Sequence, residues 1–212
     1  MGDFKLIVFD MDGTLVKRPS SWEKIHEYFG TRKIEEESWK LYDEGKISYE
    51  EFMRRDIAAW GRVHINEIRR IVLNYEFLDG AFELANFLSE KGLYRVIITA
   101  GLDILARDVA EKLGFNEYHA NGLEYDDYGY LTGRGIMRVE PFKKDKVLRG
   151  ILNKRGLKFK DVIAVGDSYY DYSLFKLVGL SIGIKSEELK GLKVDYEAED
   201  LYDVVNILRR VL

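Results

Sequence analysis

The chain of 212 residues contains no cysteine and no glutamine. Because cysteine is absent, a disulfide scaffold, a thiol nucleophile and a thiolate metal site are all excluded. No apolar run approaches the roughly 20 residues that a membrane-spanning helix needs. Residues 1–6 contain no basic region leading into an apolar stretch, as a secretory signal would. We therefore expect a cytoplasmic protein with no membrane partner.

The chain also lacks a large excess of charge of either sign. Its 33 basic and 37 acidic residues leave a formal net charge of −4. A nucleic-acid partner is not expected, because proteins that bind nucleic acid usually carry a basic excess. Charged residues make up 33% of the chain, against roughly 25% in average globular proteins. With the lack of thermolabile cysteine and glutamine, this composition is thermophile-like.

Short apolar segments alternate with amphipathic ones along most of the chain. This alternation predicts an α/β fold, a Rossmann-like doubly wound and mostly parallel sheet. A β-hairpin is predicted within residues 117–137. The predicted strands are residues 5–9, 94–99, 161–165 and 180–184, and the predicted helices are residues 81–91, 104–113, 145–154, 170–177 and 199–211.

Residues 16–75 differ from the rest of the chain, because apolar residues recur there at helical spacing without a strand-like run. We predict an all-helical cap over residues 16–75. The cap is inserted into a catalytic core that residues 1–15 and 76–212 form. Its aromatic residues are expected to form its own core rather than bind a ligand.

Polar residues follow three of the predicted strands. Asp10 and Asp12 follow the first, the Thr99-Ala100-Gly101 segment ends the second, and Asp167 and Asp171 follow a third. The carboxyl ends of parallel strands meet at one edge of a sheet, where α/β proteins bind ligands. Carboxylate oxygens suit Mg²⁺, which proteins usually hold together with phosphate. The sequence therefore predicts a site for Mg²⁺ and an anionic ligand.

The order of these motifs is specific. Asp-x-Asp-Gly-Thr-Leu over residues 10–15 precedes a threonine at a strand end, a lysine, and Gly-Asp-x-x-x-Asp over residues 166–171. This order resembles the haloacid dehalogenase superfamily of phosphatases over essentially the whole chain, and the layout is closest to its phosphoserine phosphatase-like members. The resemblance implies a Mg²⁺-dependent phosphomonoester hydrolase that forms an aspartyl-phosphate.

The resemblance also implies roles for individual residues. Asp10 resembles the nucleophile, and Asp12 resembles the general acid that later acts as the base. Thr99 and the backbone amides of Ala100 and Gly101 would hold the phosphoryl oxygens.

A lysine and further carboxylates complete the implied site. The family's spacing before Asp167 favours Lys144 as the lysine that neutralises developing charge, although Lys143 and Lys146 compete with it. Asp10, Asp12 and Asp167 would hold the metal ion, with Asp171 joining them directly or through water.

The sequence does not name the substrate, which is expected to be a small phosphorylated metabolite, nor does it distinguish a monomer from a homodimer. In phosphoserine phosphatases, a glutamate after the first motif and an arginine in the cap bind the substrate's ammonium and carboxylate. The matching positions here hold Pro19 and Asp56. Because Asp56 would repel a carboxylate, we expect that L-phosphoserine is not the preferred substrate. The candidate specificity residues are Lys17, Arg18, Trp22, Tyr49, Arg55 and Asp56.

Three other functions remain alternatives at this stage. They are a phosphotransferase that uses the same residues, a phosphoserine phosphatase, and a non-catalytic protein that binds a phosphorylated ligand. The last is disfavoured because Asp10, Asp12 and Lys144 are all present.

Overall fold

A single sheet organises the computed structural model, which describes residues 3–212; Met1 and Gly2, the first residues of the predicted core, lie outside the described residues. Within that range, seven strands pair in the order β4-β3-β2-β1-β5-β6-β7. Only β4 is antiparallel to its neighbour. This sheet confirms the predicted doubly wound, mostly parallel fold. The strands are β1 (Leu6–Phe9), β2 (Tyr94–Leu102), β3 (Glu117–Tyr125), β4 (Leu131–Ile136), β5 (Val162–Gly166), β6 (Leu180–Ile184) and β7 (Tyr196–Ala198).

Helices cover both faces of the sheet. Successive side chains of a strand point to opposite faces, so Leu6 and Val8 of β1 lie in one apolar cluster, and Ile7 and Phe9 lie in the other. The first cluster includes residues of α7 (Lys144–Arg155) and α8 (Tyr172–Phe175). The second includes residues of α5 (Ala81–Lys91), α6 (Asp103–Leu113) and α9 (Leu201–Val211). Strand β1 is therefore fully buried, and its carboxyl end opens onto the site described below.

Some elements differ from the prediction. Strand β2 continues to Leu102 rather than ending at Thr99. The predicted helix over residues 170–177 is a 3₁₀ turn over Tyr169–Asp171 followed by the short helix α8. Strand β7 was not predicted, because only Ala198 among its three residues is buried and no apolar pattern marks it. The hairpin within residues 117–137 is confirmed as β3 and β4.

Within residues 16–75, all of which the structure describes, four helices lie over the carboxyl edge of the sheet. They are α1 (Ser21–Phe29), α2 (Arg32–Asp43), α3 (Tyr49–Ala59) and α4 (Ile65–Val72). Helix α1 begins with a capping box, in which the Ser20 hydroxyl accepts from the Glu23 amide and the Glu23 carboxylate accepts from the Ser20 amide.

The two chain segments that join residues 16–75 to the sheet run side by side. The Lys17 amide donates to the Glu76 carbonyl, and the Leu78 amide donates to the Leu15 carbonyl, both at 2.9 Å. A second attachment joins this unit to the hairpin, where the Ile65 amide donates to the Gly129 carbonyl at 2.8 Å. No helix among residues 3–212 is both long and apolar enough to cross a membrane.

Candidate active site

A buried lysine lies at the centre of the site. Lys144 Nζ, at the start of α7, is 2.8 Å from Asp10 Oδ1 and 2.7 Å from Asp171 Oδ1. All three side chains are buried. Burial by itself would lower the pKa of Lys144, but the charges of Asp10 and Asp171 raise it above its ordinary value. The ammonium therefore stays charged and holds the Asp10 carboxylate in place.

Asp12, two residues further along the chain, lies in a different environment. Its Oδ1 accepts a hydrogen bond from the Ser21 amide at 3.1 Å, and its Oδ2 accepts one from the Ser21 hydroxyl at 3.4 Å. Burial, followed by the charge of Asp10, raises the pKa of Asp12 to about 7. A carboxyl group that titrates near neutral pH can both donate and accept a proton. No pattern in the sequence indicates that Ser21 contacts Asp12.

The Thr99 segment forms another wall of the site. The Thr99 hydroxyl is buried and accepts a hydrogen bond from the Gly101 amide at 3.0 Å. The Ala100 carbonyl accepts hydrogen bonds from the Trp22 indole at 3.1 Å and from the Asn121 side chain at 2.9 Å. A Cβ atom at Gly101 would lie 2.3 Å from Asp12 Oδ2, so this position requires glycine.

Three carboxylates form an acidic cluster beside Lys144. Asp10, Asp167 and Asp171 each offer an oxygen atom, and these atoms lie within 4.8 Å of one another. Burial, followed by the charge of Asp10, raises the pKa of Asp167 to about 7. Asp167 accepts hydrogen bonds from Thr14 Oγ1 at 2.9 Å and from Arg18 at 3.2 Å. The three carboxylates offer hard oxygen atoms, and their negative charges repel one another. A divalent cation such as Mg²⁺ would bind such oxygens and offset this repulsion.

Asp171 differs from the other two carboxylates, because both of its oxygens already have partners. Its Oδ1 pairs with Lys144, and its Oδ2 accepts from the Ser168 amide at 3.1 Å, the Ser168 hydroxyl at 3.0 Å and the Asp167 amide at 3.2 Å. Asp171 thus orients Lys144 and the loop that carries Asp167.

Most of the predicted site residues, though not Asp167 or Asp171, line a cavity of about 280 Å³ between the helices of residues 16–75 and the sheet. Its floor contains the predicted catalytic and phosphate-binding residues, namely Asp10, Asp12, Thr99, Ala100, Gly101 and Lys144. Its walls combine aromatic and charged side chains. They include Arg18, Glu23, Arg32, Glu35, Glu36 and Glu188 with Trp22, Trp39, Tyr49, Phe52 and Tyr170.

Three of the candidate specificity residues, Arg18, Trp22 and Tyr49, line the cavity, and the other three do not. Lys17 instead lies 3.0 Å from Asp79, where the joining segments meet. Asp56 is fully buried, with its carboxylate 3.3 Å from His26 Nε2. The predicted repulsion between Asp56 and a substrate carboxylate is therefore wrong, although no arginine stands in its place.

Arg55 also lies away from the cavity and donates to the Ser38 hydroxyl at 3.3 Å. Lys143 is exposed and pairs with Glu140 at 2.6 Å, so the buried lysine that contacts Asp10 is Lys144.

Helix α2 contributes a wall of the cavity that was not predicted. Arg32, Glu35, Glu36 and Trp39 all line the cavity. They recur at the i, i+3, i+4 and i+7 positions of one helix face. This spacing is visible in the sequence, but charged residues at the same spacing are equally typical of a helix face in contact with solvent. The expectation that cap aromatics only form a core was also incomplete, because Trp22 and Phe52 are buried and line the cavity.

Replacing Lys144 by methionine should destabilise the protein by about 3–5 kcal/mol, because two buried carboxylates would lose their cation. Urea unfolding of the metal-free protein measures this change. Lys143→Met is the matched control and should change the free energy of unfolding by no more than about 0.5 kcal/mol, since its ion pair is exposed. Equal losses in the two variants would contradict the central position of Lys144.

Comparisons with known proteins agree with this geometry. The family model of haloacid dehalogenase-like hydrolases matches residues 7–176. Phosphoserine phosphatase of Methanocaldococcus jannaschii is 31% identical over 212 residues, which cover 97% of this chain and 98% of the relative. A substrate-bound phosphoserine phosphatase structure aligns with a TM-score of 0.81 and 29% identity, over 96% of this chain and 98% of that chain. A phospho-aspartyl intermediate analogue of phosphoserine phosphatase aligns with the same values. The chain therefore belongs to the haloacid dehalogenase-like hydrolases and is a phosphatase of that family.

Proposed function

We propose that this enzyme hydrolyses a small phosphorylated metabolite with Mg²⁺ as cofactor and with Asp10 as the nucleophile. The observation that carries this proposal is the pairing of Asp10 with the buried Lys144 at the floor of the cavity. The relative described as a phospho-aspartyl intermediate analogue supports a covalent route.

In the first half of the reaction, a carboxylate oxygen of Asp10 attacks phosphorus and the bond from phosphorus to the ester oxygen breaks. Asp12, protonated near neutral pH, donates its proton to the departing alcohol oxygen. The Thr99 hydroxyl and the Lys144 ammonium stabilise the charge on the phosphoryl oxygens.

In the second half, the roles of the carboxyl groups reverse. Asp12, now ionised, accepts a proton from water as the water oxygen attacks phosphorus. The bond between phosphorus and Asp10 breaks, which releases inorganic phosphate and restores both carboxyl groups. Splitting the displacement in this way replaces one difficult step by two easier ones.

The acidic cluster fits the metal ion that the family uses. Asp10 and Asp167 would hold Mg²⁺ together with the backbone carbonyl of Asp12, while Asp171 acts through its neighbours or through water. When bound, Mg²⁺ supplies positive charge that offsets the negative charge of the phosphoryl group and the carboxylates.

Residues 16–75 act in this proposal as a cap over a core formed by residues 1–15 and 76–212. Trp39 of α2 packs edge-on against Tyr170 of the core, with ring centroids 5.3 Å apart. Such a contact can close the cavity and exclude water while the phosphoenzyme forms.

Asp10→Asn should abolish phosphate release from p-nitrophenyl phosphate, with a loss of several orders of magnitude, because the variant lacks the nucleophile. The variant should fold, since asparagine has the same shape and Asp171 still pairs with Lys144. Asp127→Asn, in the exposed hairpin turn, is the matched control. Activity of Asp10→Asn within about tenfold of the parent would refute the covalent mechanism.

Asp12→Asn should impair the enzyme in a way that depends on the leaving group. An alkyl phosphate needs a proton on its departing oxygen, whereas p-nitrophenolate leaves readily without one. We therefore expect a larger loss in kcat/KM for the alkyl ester. Steady-state kinetics on both esters measures this difference, and equal losses would rule out Asp12 as the general acid.

Removal of metal ions with EDTA should stop turnover, and Mg²⁺ should restore it. Ca²⁺ should bind but support little activity, because it takes more ligands at longer distances and phosphoryl transfer depends on precise positioning. Calorimetric titration of Mg²⁺ into the parent and into Asp167→Asn provides a readout independent of turnover. Full activity in metal-free protein would overturn the assignment of the acidic cluster.

A further inference from the structure

The cavity wall opposite the catalytic groups has an unusual balance of charge. Helix α2 contributes Arg32, Glu35, Glu36 and Trp39 from one face. In total, four glutamates and two arginines line the walls: Glu23, Glu35, Glu36 and Glu188 with Arg18 and Arg32. A leaving group that enters this space therefore meets more negative than positive charge.

Both arginines of the wall already have carboxylate partners. Arg32 lies 2.7 Å from Glu35 and 3.4 Å from Glu23. Arg18 lies 3.2 Å from Asp167 and 3.6 Å from Glu188. A substrate carboxylate would have to compete with these partners.

The four glutamates are neutralised unequally, because Glu23, Glu35 and Glu188 each lie within ion-pair distance of an arginine. Within residues 3–212, no cationic side chain lies within ion-pair distance of Glu36. Burial outweighs the nearby charge of Arg32 and raises the pKa of Glu35 to about 7, so the charged form of Glu35 lacks some of the stabilisation it would have in water. A cation bound beside these two residues would relieve that deficit.

Aromatic rings surround the same space. Trp39 lies between Phe52 and Tyr170, with ring centroids 5.4 Å and 5.3 Å away, and Trp22 lies 6.4 Å from Phe52. Faces of tryptophan and tyrosine attract ammonium groups, particularly where water is excluded. The aromatic rings and the Glu36 carboxylate thus favour the same kind of ligand.

We infer that the preferred substrate is a phosphate monoester of a small amino alcohol, whose leaving group carries an ammonium and no carboxylate. This inference rests on the proposed phosphatase activity and specifies its substrate class. The ammonium binds between Glu35, Glu36 and Trp39, and the phosphate binds at Asp10. The small cavity volume suits a leaving group of a few heavy atoms.

A set of four esters with similar leaving groups tests the inference. They are 2-aminoethyl phosphate, n-propyl phosphate, 3-phosphonooxypropanoate and L-phosphoserine. In that order, their leaving groups carry an ammonium, no charge, a carboxylate, and both an ammonium and a carboxylate. We expect kcat/KM for the aminoethyl ester to exceed that of each other ester by about tenfold or more, the order of one charge-assisted contact. The inference is overturned if the propyl ester matches the aminoethyl ester, or if L-phosphoserine ranks first.

A charge reversal on α2 provides a second, independent test. Glu36→Lys should invert the ranking of the aminoethyl and carboxylate esters, whereas Glu37→Lys, a neighbouring exposed position outside the cavity, should preserve it. An unchanged ranking in Glu36→Lys would refute the role of Glu36. The four esters also separate the failure of the two proposals. If the parent protein with Mg²⁺ releases phosphate from none of them, the proposed function fails. If it hydrolyses them without preferring the amine, only the substrate class fails.

Discussion

The buried ammonium of Lys144 is the interaction on which the rest of the site depends. A charge removed from water must be compensated by partners of opposite sign, and here those partners are Asp10 and Asp171. These two ion pairs hold three elements together, because Asp10 follows β1, Asp171 follows β5 and Lys144 begins α7. Strands β1 and β5 are hydrogen-bonded neighbours, and the Asp10 amide donates to the Val165 carbonyl at 2.9 Å. The sheet order therefore brings the two carboxylates to one cation.

The helices over the sheet also take part in the chemistry. Asp10 and Asp12 are separated by one residue, yet Asp10 contacts Lys144 whereas Asp12 contacts Ser21 at the start of α1. This difference in environment is consistent with the separate roles that we propose for the two carboxyl groups, because surroundings set which carboxyl group is ionised in other enzymes. Trp22 of the same helix binds the Ala100 carbonyl next to Thr99. Helix α1 thus contacts both Asp12 and the segment that contains Thr99, and its Trp22 side chain also lines the cavity.

Much of the fold could be predicted because its signals are local. Strands such as β1, β5 and β6 are short apolar runs buried on both faces, and Gly92 and Gly114 end helices in the left-handed conformation. Prediction failed where burial is partial. Strand β7 has one buried residue. The helix predicted over residues 170–177 exists, but it is shorter, because a 3₁₀ turn precedes the four residues of α8. The extension of β2 through Ala100 to Leu102 depends on pairing with β3 after a shift of register, which no local pattern records.

The candidate site likewise contains residues that could be predicted from the sequence and residues that could not. Motif order was enough to predict the candidate catalytic residues Asp10, Asp12, Thr99, Lys144 and Asp167, because their positions at strand ends and a helix start bring them to one edge of a parallel sheet. Which other side chains line the cavity depends on the tertiary structure. Neighbouring side chains on a helix point about 100° apart, and the packing of α3 places Asp56 against His26 within residues 16–75, away from the cavity. Arg32, Glu35 and Glu36 look like a solvated helix face in the sequence, and they line the cavity because α2 folds over it.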